Sequence, residues 1–363
     1  MKFAVVEYNS KSGDIWRATP RRPNYLEDPD RVIDPTSFGC YVSALHGEHI
    51  PLVKFVGKRK LWPRVYRKIT GSWPPYSLAY FQQFDVIMLV HQISDAHEIA
   101  ALARRLRRAN PRPFIVGVPT QPYGLLRPHL DSHTQAQRDF ITYMNNCDLF
   151  LTVVKETQRW YESLTSTPVV YLPQIYPASY ATQYFRAVEH KQKSIFVAGV
   201  TDRAKVTQGF EVARRLQKEF PRYPIYVTEI PGVTLNLNKL AGAKYEVIPF
   251  QKWREHLPWL AQQRLTINTD YTFTRGRVQV DCAAVGTVSL GGNSDAASDL
   301  FPALRSNVAT PTEDLLSLGQ RLLTNDTYYT QIASTARERL KKYDYDESAA
   351  RLMMLIRASQ ESR

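Results

Sequence analysis

Cysteine and long apolar runs are both scarce in this sequence of 363 residues. Its three cysteines, Cys40, Cys147 and Cys282, lie far apart and form no Cys-x-x-Cys pair. That spacing suggests neither a zinc site nor a disulfide framework, and it fits a reducing compartment. The apolar run at 85–90 is far too short to span a membrane, and the run after Met1 is too short for a signal peptide. We therefore predict a cytoplasmic protein, with at most peripheral contact with the inner membrane face.

Metal-binding motifs, internal repeats and low-complexity tracts are also missing. The one Asp-x-Asp pattern, Asp28-Pro29-Asp30, lies in a proline-rich stretch, where turn formation explains it better than a metal ion does. The sequence therefore predicts neither a metal site nor a tightly bound cofactor.

Positive charge is present in excess. Lysine and arginine number 47 against 34 aspartates and glutamates, which gives a formal net charge of +13. Such a surface favours anionic partners, which include phosphorylated ligands, nucleic acid and acidic membranes. A basic, solvated surface without a function is the alternative.

Strand and helix patterns alternate along the chain, which favours an α/β fold with parallel sheets covered on both faces. The first half predicts strands at 2–8, 51–56, 84–91, 113–118, 148–154 and 168–173, with helices near 36–47 and at 94–110, 133–147 and 155–164. The second half predicts strands at 193–200, 223–230, 245–250 and 264–269, and three helices at its end.

The alternation breaks once, which divides the chain into two doubly wound, Rossmann-like domains. We predict an N-terminal acceptor-binding domain at 1–175, a linker at 176–192, a C-terminal nucleotide-binding domain at 193–345 and a final helix at 346–363. Ligands of such sheets bind beyond the carboxyl ends of the strands, and the cleft between two such domains is a further expected place.

The segment 275–292 carries the most specific chemistry. Gly276 sits between Arg275 and Arg277 at the predicted start of a helix, and Asp281 follows one turn later. A helix N-terminus and two guanidinium groups suit a diphosphate, and a carboxylate could accept ribose hydroxyls. These residues predict a nucleotide site. The alternative is an ordinary turn glycine and an Asp281–Arg277 pair on an exposed helix face.

Two other strand ends could contribute to the same site. Gly199, Arg203 and Lys205 follow the first strand of the second domain, where a basic pair can reach a diphosphate. Phe250 ends another strand, where backbone groups could contact a nucleobase. The alternative for the basic pair is a solvated surface loop. The alternative for Phe250 is a position in the hydrophobic core.

The order of elements resembles that of glycosyltransferases with the GT-B fold, especially the group 1 family. The similar segments are 147–157, 168–177, 194–205 and 275–292. The resemblance implies a nucleotide-diphosphate sugar as donor, UDP first, and no metal. It places Asp281 at the ribose-binding glutamate, Gly276 and Arg277 in the phosphate-binding turn and Arg203 with Lys205 at the basic pair. It also implies that the last helix crosses back to the N-terminal domain.

The sequence departs from that family at one telling position. The family has a second glutamate eight residues before the ribose-binding one, and this chain has Phe273 there. The usual contacts with sugar hydroxyls, and with them a retaining outcome, therefore do not follow from the resemblance.

His91 and Asp95 are the candidate catalytic residues. His91 ends the predicted strand 84–91 and resembles the histidine that many family members place near the donor sugar. Asp95 is the candidate base if the reaction inverts the anomeric centre. A core histidine and a helix-capping aspartate are the alternatives.

A stretch rich in basic and aromatic residues is the predicted acceptor-binding surface. It contains Lys58, Arg59, Trp62, Arg64, Arg67 and Lys68. Such a stretch suits anionic lipid headgroups and also DNA, and a solvated surface is the third interpretation.

Three functions therefore stay open. The first is transfer of a sugar to a glycolipid or surface polysaccharide at the inner membrane face. The second is a phage-type glucosyltransferase that acts on modified DNA bases. The third is a catalytically silent protein that binds a nucleotide sugar or scaffolds an assembly.

Overall fold

The computed structural model describes residues 1–8, 38–52, 68, 77–198, 206–229 and 237–361. Their contacts divide the chain into two compact units. Tyr176–Glu347 belongs to the second unit. The first unit contains the described residues up to Ile175 together with those from Ser348 onward.

A parallel sheet of six described strands forms the centre of the first unit, in the order β2-β1-β3-β4-β5-β6. Every neighbouring pair runs parallel. The inner strands are almost fully buried, as apolar runs covered on both faces should be. The strands are β1 Phe3–Tyr8, β2 Glu48–Leu52, β3 Val86–His91, β4 Phe114–Pro119, β5 Leu149–Thr152 and β6 Val169–Tyr171.

Helices connect these strands. The helix Ala96–Arg107 has an apolar face, because Ile99, Leu102, Ala103 and Leu106 recur at helical spacing and are buried. Its last turn carries three arginines, which complement the negative end of the helix dipole. The helices are α1 Cys40–Ala44, α2 Leu78–Phe81, α3 Ala96–Arg107, α4 Tyr123–Ser132, α5 Thr134–Asn145 and α6 Gln158–Glu162.

The second unit contains a parallel sheet of five described strands in the order β11-β10-β7-β8-β9. Its strands are β7 Gln192–Val197, β8 Ile225–Thr228, β9 Tyr245–Ile248, β10 Gln263–Ile267 and β11 Val288–Leu290. Its helices are α7 Ala178–Ala181, α8 Val206–Glu219, α9 Trp253–Leu260, α10 Arg277–Val285, α11 Asp295–Leu300, α12 Thr312–Thr324 and α13 Asp326–Leu340. A last helix, α14 Tyr345–Glu361, follows, and its residues from Ser348 onward belong to the first unit.

The predicted α/β class with two doubly wound, Rossmann-like sheets is confirmed. The strand predicted at 51–56 begins earlier, at Glu48, and pairs with β1 over Glu48–Leu52; residues 53–56 lie outside the described part of the chain. Four of the described helices escaped prediction: α4 contains Pro128, α11 has only six residues, and α2 and α7 have four residues each. Among the described helices, none combines the length and the apolarity that crossing a membrane requires.

Candidate functional site

Each sheet has a point where the strand order reverses, and ligands of open α/β sheets bind outside the carboxyl ends of the strands there. In the second unit this point lies between β7 and β10, because the chain proceeds from β7 to β8 and β9 on one side and from β10 to β11 on the other. The residues after β10 therefore lie at the expected ligand edge. They include the predicted turn at Arg275, Gly276 and Arg277.

That turn is held in place by the loop after β11. The backbone N–H of Phe273 donates to Asn293 Oδ1 at 3.0 Å. In return, the N–H of Asp295 donates to the carbonyl of Thr274 at 3.1 Å, and the N–H of Ala296 donates to the carbonyl of Arg275 at 3.2 Å. The two loops hold each other through these hydrogen bonds, so the backbone before α10 is already ordered. A small anionic ligand that binds there therefore does not lose free energy in ordering the loops.

Gly276 begins α10 in the left-handed conformation, with φ of 95°. A Cβ at this position would lie 2.5 Å from Ser294 Oγ and 2.7 Å from Ala296 Cβ. Both the backbone conformation and the close approach of the second loop therefore require glycine. Phe273, three residues earlier, also has a positive φ, of 54°.

Arginine side chains flank this glycine. The Arg277 side chain is partly exposed, and its Nε lies 3.8 Å from Asp281 Oδ2. Arg275 is also partly exposed. Two guanidinium groups beside a helix N-terminus give a positive site at the carboxyl edge, which suits a phosphate group.

Asp281 lies deeper than the sequence suggested. Its side chain is only 5% exposed. Oδ1 accepts hydrogen bonds from the Tyr176 hydroxyl and from Trp253 Nε1, both at 2.8 Å. Burial, and then the nearby Asp281 carboxylate, raise the pKa of Tyr176 well above its usual range, so Tyr176 stays a donor. The Asp281–Arg277 pair of the alternative interpretation is present, but Asp281 is buried at its end of the pair, and only Arg277 is partly exposed. A ribose contact stays a prediction.

These bonds make Asp281 important for the stability of the second unit. Asp281→Ala leaves two buried donors without an acceptor, so we expect a loss of about 2–4 kcal/mol in the free energy of unfolding. Asp281→Asn keeps one oxygen for those donors and should lose less than half as much. Urea unfolding followed by tryptophan fluorescence measures both. Equal losses in the two variants would mean that the carboxylate charge, rather than acceptor geometry, stabilises this region.

Besides Tyr176 and Trp253, sequence reasoning missed Gln279 and His256 in this region. Gln279 is 1% exposed within α10, where its Oε1 accepts from Ser294 Oγ at 3.0 Å and joins the two loops. His256 of α9 stacks on Trp259, and burial together with Arg277 lowers its pKa to about 4. His256 is therefore neutral near pH 7. The only sequence signal for Gln279 was a glutamine between two valines of α10, and His256 had none.

Of the other residues predicted to bind the donor or the acceptor, only Phe250 and Lys68 lie in the described part of the chain. Phe250 follows β9 and is 57% exposed, so its ring is open to solvent. Lys68 is exposed. The remaining predicted residues lie outside the described part of the chain: Gly199, Arg203, Lys205, Lys58, Arg59, Trp62, Arg64 and Arg67.

In the first unit, the strand order reverses between β1 and β3, and His91 is the last residue of β3. Its ring is fully buried, 4.7 Å from Phe140 and stacked on Tyr143 at 5.5 Å between centroids. Neither ring nitrogen has a hydrogen-bond partner among the described residues. Burial, and then His129, lower the pKa of His91 to about 3, so the ring is neutral. This environment fits the core-histidine alternative, and a catalytic role stays a prediction.

Asp95 lies beyond the same strand and is also fully buried. Its Oδ1 accepts the backbone N–H of Gln92 at 3.0 Å, while Oδ2 has no partner within the described ranges. Asp95 therefore caps the short 3-10 helix Ile93–Asp95, and the alternative in which its side chain caps α3 is wrong. Burial raises its pKa from 3.8 to about 7, and Glu98 and Glu7 contribute to the rise.

This raised pKa predicts a pH-dependent stability. Since the folded-state pKa of Asp95 exceeds the unfolded value, its stabilising contribution is complete below about pH 4 and is lost as the pH rises to about 7. Asp95→Asn keeps the Oδ1 acceptor and removes the titration. Urea unfolding at pH 4.5 and pH 8 should show the variant more stable than the parent only at pH 8, by a few kcal/mol. A pH-independent difference would contradict the raised pKa.

Metal ligands are not clustered in the described ranges: no group of three or more histidine, cysteine, aspartate or glutamate side chains there is placed to hold an ion.

Comparison with known proteins identifies the fold. No protein-family model matches the chain, and no curated protein matches its sequence. Solved structures do match along nearly the whole length. A trehalose 6-phosphate synthase from Burkholderia multivorans has a TM-score of 0.63 at 11% identity, with 99% of this chain and 97% of that chain covered. A sucrose-phosphate synthase from Thermosynechococcus elongatus has a TM-score of 0.61 at 10% identity, with 100% of both chains covered.

A third similar structure holds a ligand. It is described as trehalose-6-phosphate from E. coli bound with UDP-2-fluoro glucose, and it has a TM-score of 0.62 at 10% identity over 98% of this chain and 99% of that chain. At such identities the likeness concerns the fold, which is GT-B, the two-domain Rossmann-like fold of these proteins. The resemblance predicted from the sequence is confirmed at that level.

Proposed function

We propose that the protein is a glycosyltransferase that takes its sugar from a nucleotide-diphosphate sugar, with UDP as the nucleotide. One observation carries the proposal. At the reversal point of the second sheet, a left-handed glycine and two arginines form the entrance to a helix, and a second loop fixes that entrance. A full-length GT-B fold adds support, and one protein of similar fold is bound with UDP-2-fluoro glucose.

The chemistry of this edge suits a leaving diphosphate. Cleavage of the bond between sugar and phosphate leaves negative charge on the nucleotide, and fixed positive groups stabilise that charge without reorganising. Arg275, Arg277 and the first N–H groups of α10 supply such groups. We therefore propose a reaction in which the chain's own cations take the part that a metal ion plays elsewhere, and we assign Phe250 and Asp281 to the nucleoside.

The proton of the acceptor hydroxyl needs a base, and Asp95 is our candidate. A buried carboxyl with a pKa near 7 is suited to general-base catalysis at neutral pH. The rate should then rise with pH through about 7 and level off above it. His91, neutral at that pH, would position a sugar hydroxyl rather than carry charge.

For the acceptor, we propose a glycolipid or surface polysaccharide at the inner membrane face. The support is compositional: the net charge of +13 and the basic, aromatic stretch at 58–68 suit an anionic partner. A modified DNA base would satisfy the same charge. Pelleting with anionic vesicles and retention on duplex DNA, each over a salt series, separate these acceptors.

Two specific observations favour a second function, a silent nucleotide-sugar-binding protein. Phe273 stands where the family has a glutamate, and Asp281 is already bonded to Tyr176 and Trp253. Both features remove polar groups that the family directs at the donor, and neither prevents binding of a diphosphate to the turn.

Calorimetric titration with UDP, GDP, CDP, ADP and dTDP tests the proposal first. We expect UDP to bind most tightly, Arg277→Gln to weaken it at least tenfold, and Arg222→Gln, an exposed arginine between α8 and β8, to leave it unchanged. If no nucleotide binds, the transferase proposal fails. If UDP binds and UDP-glucose is not hydrolysed over hours without acceptor, the silent function is favoured.

A further inference from the structure

The outer strand of the second sheet exposes apolar side chains. β9 lies at one end of the strand order, and β8 is the only described strand that pairs with it. Tyr245 and Val247 of β9 are each 41% exposed, whereas Ile225 and Val227, which lie beside them on β8, are fully buried. An exposed edge strand of this kind can pair with a strand of another chain.

The backbone of β9 has hydrogen-bonding groups on its outer side. The carbonyls of Lys244 and Ile248 point towards β8, because backbone N–H groups at the start and end of β8 donate to them at 3.1 and 2.8 Å. The peptide groups of a strand point alternately to its two sides, so the N–H and C=O groups of Tyr245 and Val247 point away from β8. An added antiparallel strand would bond to these two residues.

The charges on β9 indicate which strand fits. Lys244 and Glu246 are both exposed, and neither has an ion-pair partner among the described residues. If two β9 strands pair antiparallel about Tyr245, each Tyr245 lies opposite its own copy, and each Lys244 lies opposite Glu246 of the other chain. Opposite charges that face each other across an antiparallel pair stabilise it, and the two-fold symmetry provides this contact twice.

The hydrogen-bonding pattern and the charges select the same register. About Tyr245, the outward N–H and C=O groups of the two tyrosines exchange two hydrogen bonds. A pairing about Glu246 would instead place two glutamates directly opposite each other, which is destabilising. An edge strand that carries charge of one sign repels a copy of itself, whereas this edge carries one charge of each sign.

We propose that β9 is a self-association surface, through which a second copy of this chain adds its own β9 in the antiparallel direction. The pairing extends the five-stranded sheet of each copy across a two-fold axis. Because few residues take part, the dimer is weak and forms only at high protein concentration. It does not depend on the proposed transferase activity.

Sedimentation velocity of the full chain from about 5 µM to about 500 µM tests this surface. We expect the parent to dimerise within this range. Lys244→Glu and Glu246→Lys should each weaken the dimer at least tenfold, because like charges then face each other at both symmetric positions. An equimolar mixture of the two variants should dimerise again, since every glutamate then faces a lysine. A monomeric parent, or a mixture that associates no better than its components, would refute the surface.

Glu338→Lys is the matched control, because it makes the same change of charge at an exposed position on α13. It should change the dissociation constant of the dimer less than twofold. A loss equal to that of Glu246→Lys would indicate general charge repulsion and would overturn the pairing.

Cysteine cross-linking tests the register. Oxidation should link Tyr245→Cys chains, because facing residues of an antiparallel pair lie about 5.5 Å apart at Cα, within reach of a disulfide. Val247→Cys chains should stay unlinked, because their cysteines would be four residues out of register, about 14 Å apart. The three cysteines of the parent are buried. Equal linking of the two variants, or linking of neither, would refute the pairing about Tyr245.

Discussion

Replacing Asp148 by asparagine should lower the free energy of unfolding by about 3–5 kcal/mol, because it leaves guanidinium groups at the sheet edge without their anion. The carboxylate joins three parts of the first unit: Arg107 at the end of α3, Arg112 in the following loop and Ile115 at the start of β4. An amide can accept at one oxygen only and offers two donors to groups that are themselves donors. Urea unfolding followed by circular dichroism measures the loss.

Asp131→Asn is the matched control. Asp131 pairs with Arg127 at 3.5 Å, but both side chains are more than half exposed. Solvent screens such a pair, so we expect a change below about 1 kcal/mol. If Asp148→Asn were as mild as this control, the buried cluster would not contribute to stability.

The sheets could be predicted from the sequence because their strands are short apolar runs separated by polar helix starts. β3 and β4 pair over six residues in register, and both were predicted within two residues of their bounds. The start of β2 was missed because Glu48 and His49 are polar, and only pairing with β1 makes them part of a strand. Local patterns do not contain that information.

The surroundings of the candidate site were less predictable. The turn at Gly276 could be inferred, since glycine between arginines at a helix start is a local signal. The partners of Asp281 could not, because Tyr176 lies 105 positions away and Trp253 lies 28 positions away. In the same way, the raised pKa of Asp95 comes from burial, which depends on packing against distant elements. The residue types indicated which chemistry is possible. The tertiary contacts determine whether each group is buried, already hydrogen-bonded or accessible to a ligand.

Replacing Gly276 by alanine should have the largest effect on ligand binding. The new Cβ would be strained at φ of 95° and would lie 2.5 Å from Ser294 Oγ, so the turn and the loop after β11 must separate. We expect UDP affinity to fall at least tenfold and the free energy of unfolding to fall by about 2 kcal/mol or more. Calorimetry and urea unfolding measure the two effects independently, and the second stands even if another nucleotide is the ligand.

Gly242→Ala separates backbone strain from the clash. Gly242 also has a positive φ, of 79°, but a Cβ there would meet no described atom within 4 Å. It should therefore lose only the 1–2 kcal/mol or so of a left-handed alanine and leave UDP affinity unchanged. If both variants bind UDP like the parent, Gly276 does not form part of a phosphate site. If both lose stability equally, the contact between the two loops is too loose to preorganise the turn, and the argument for a rigid diphosphate site at this edge fails with it.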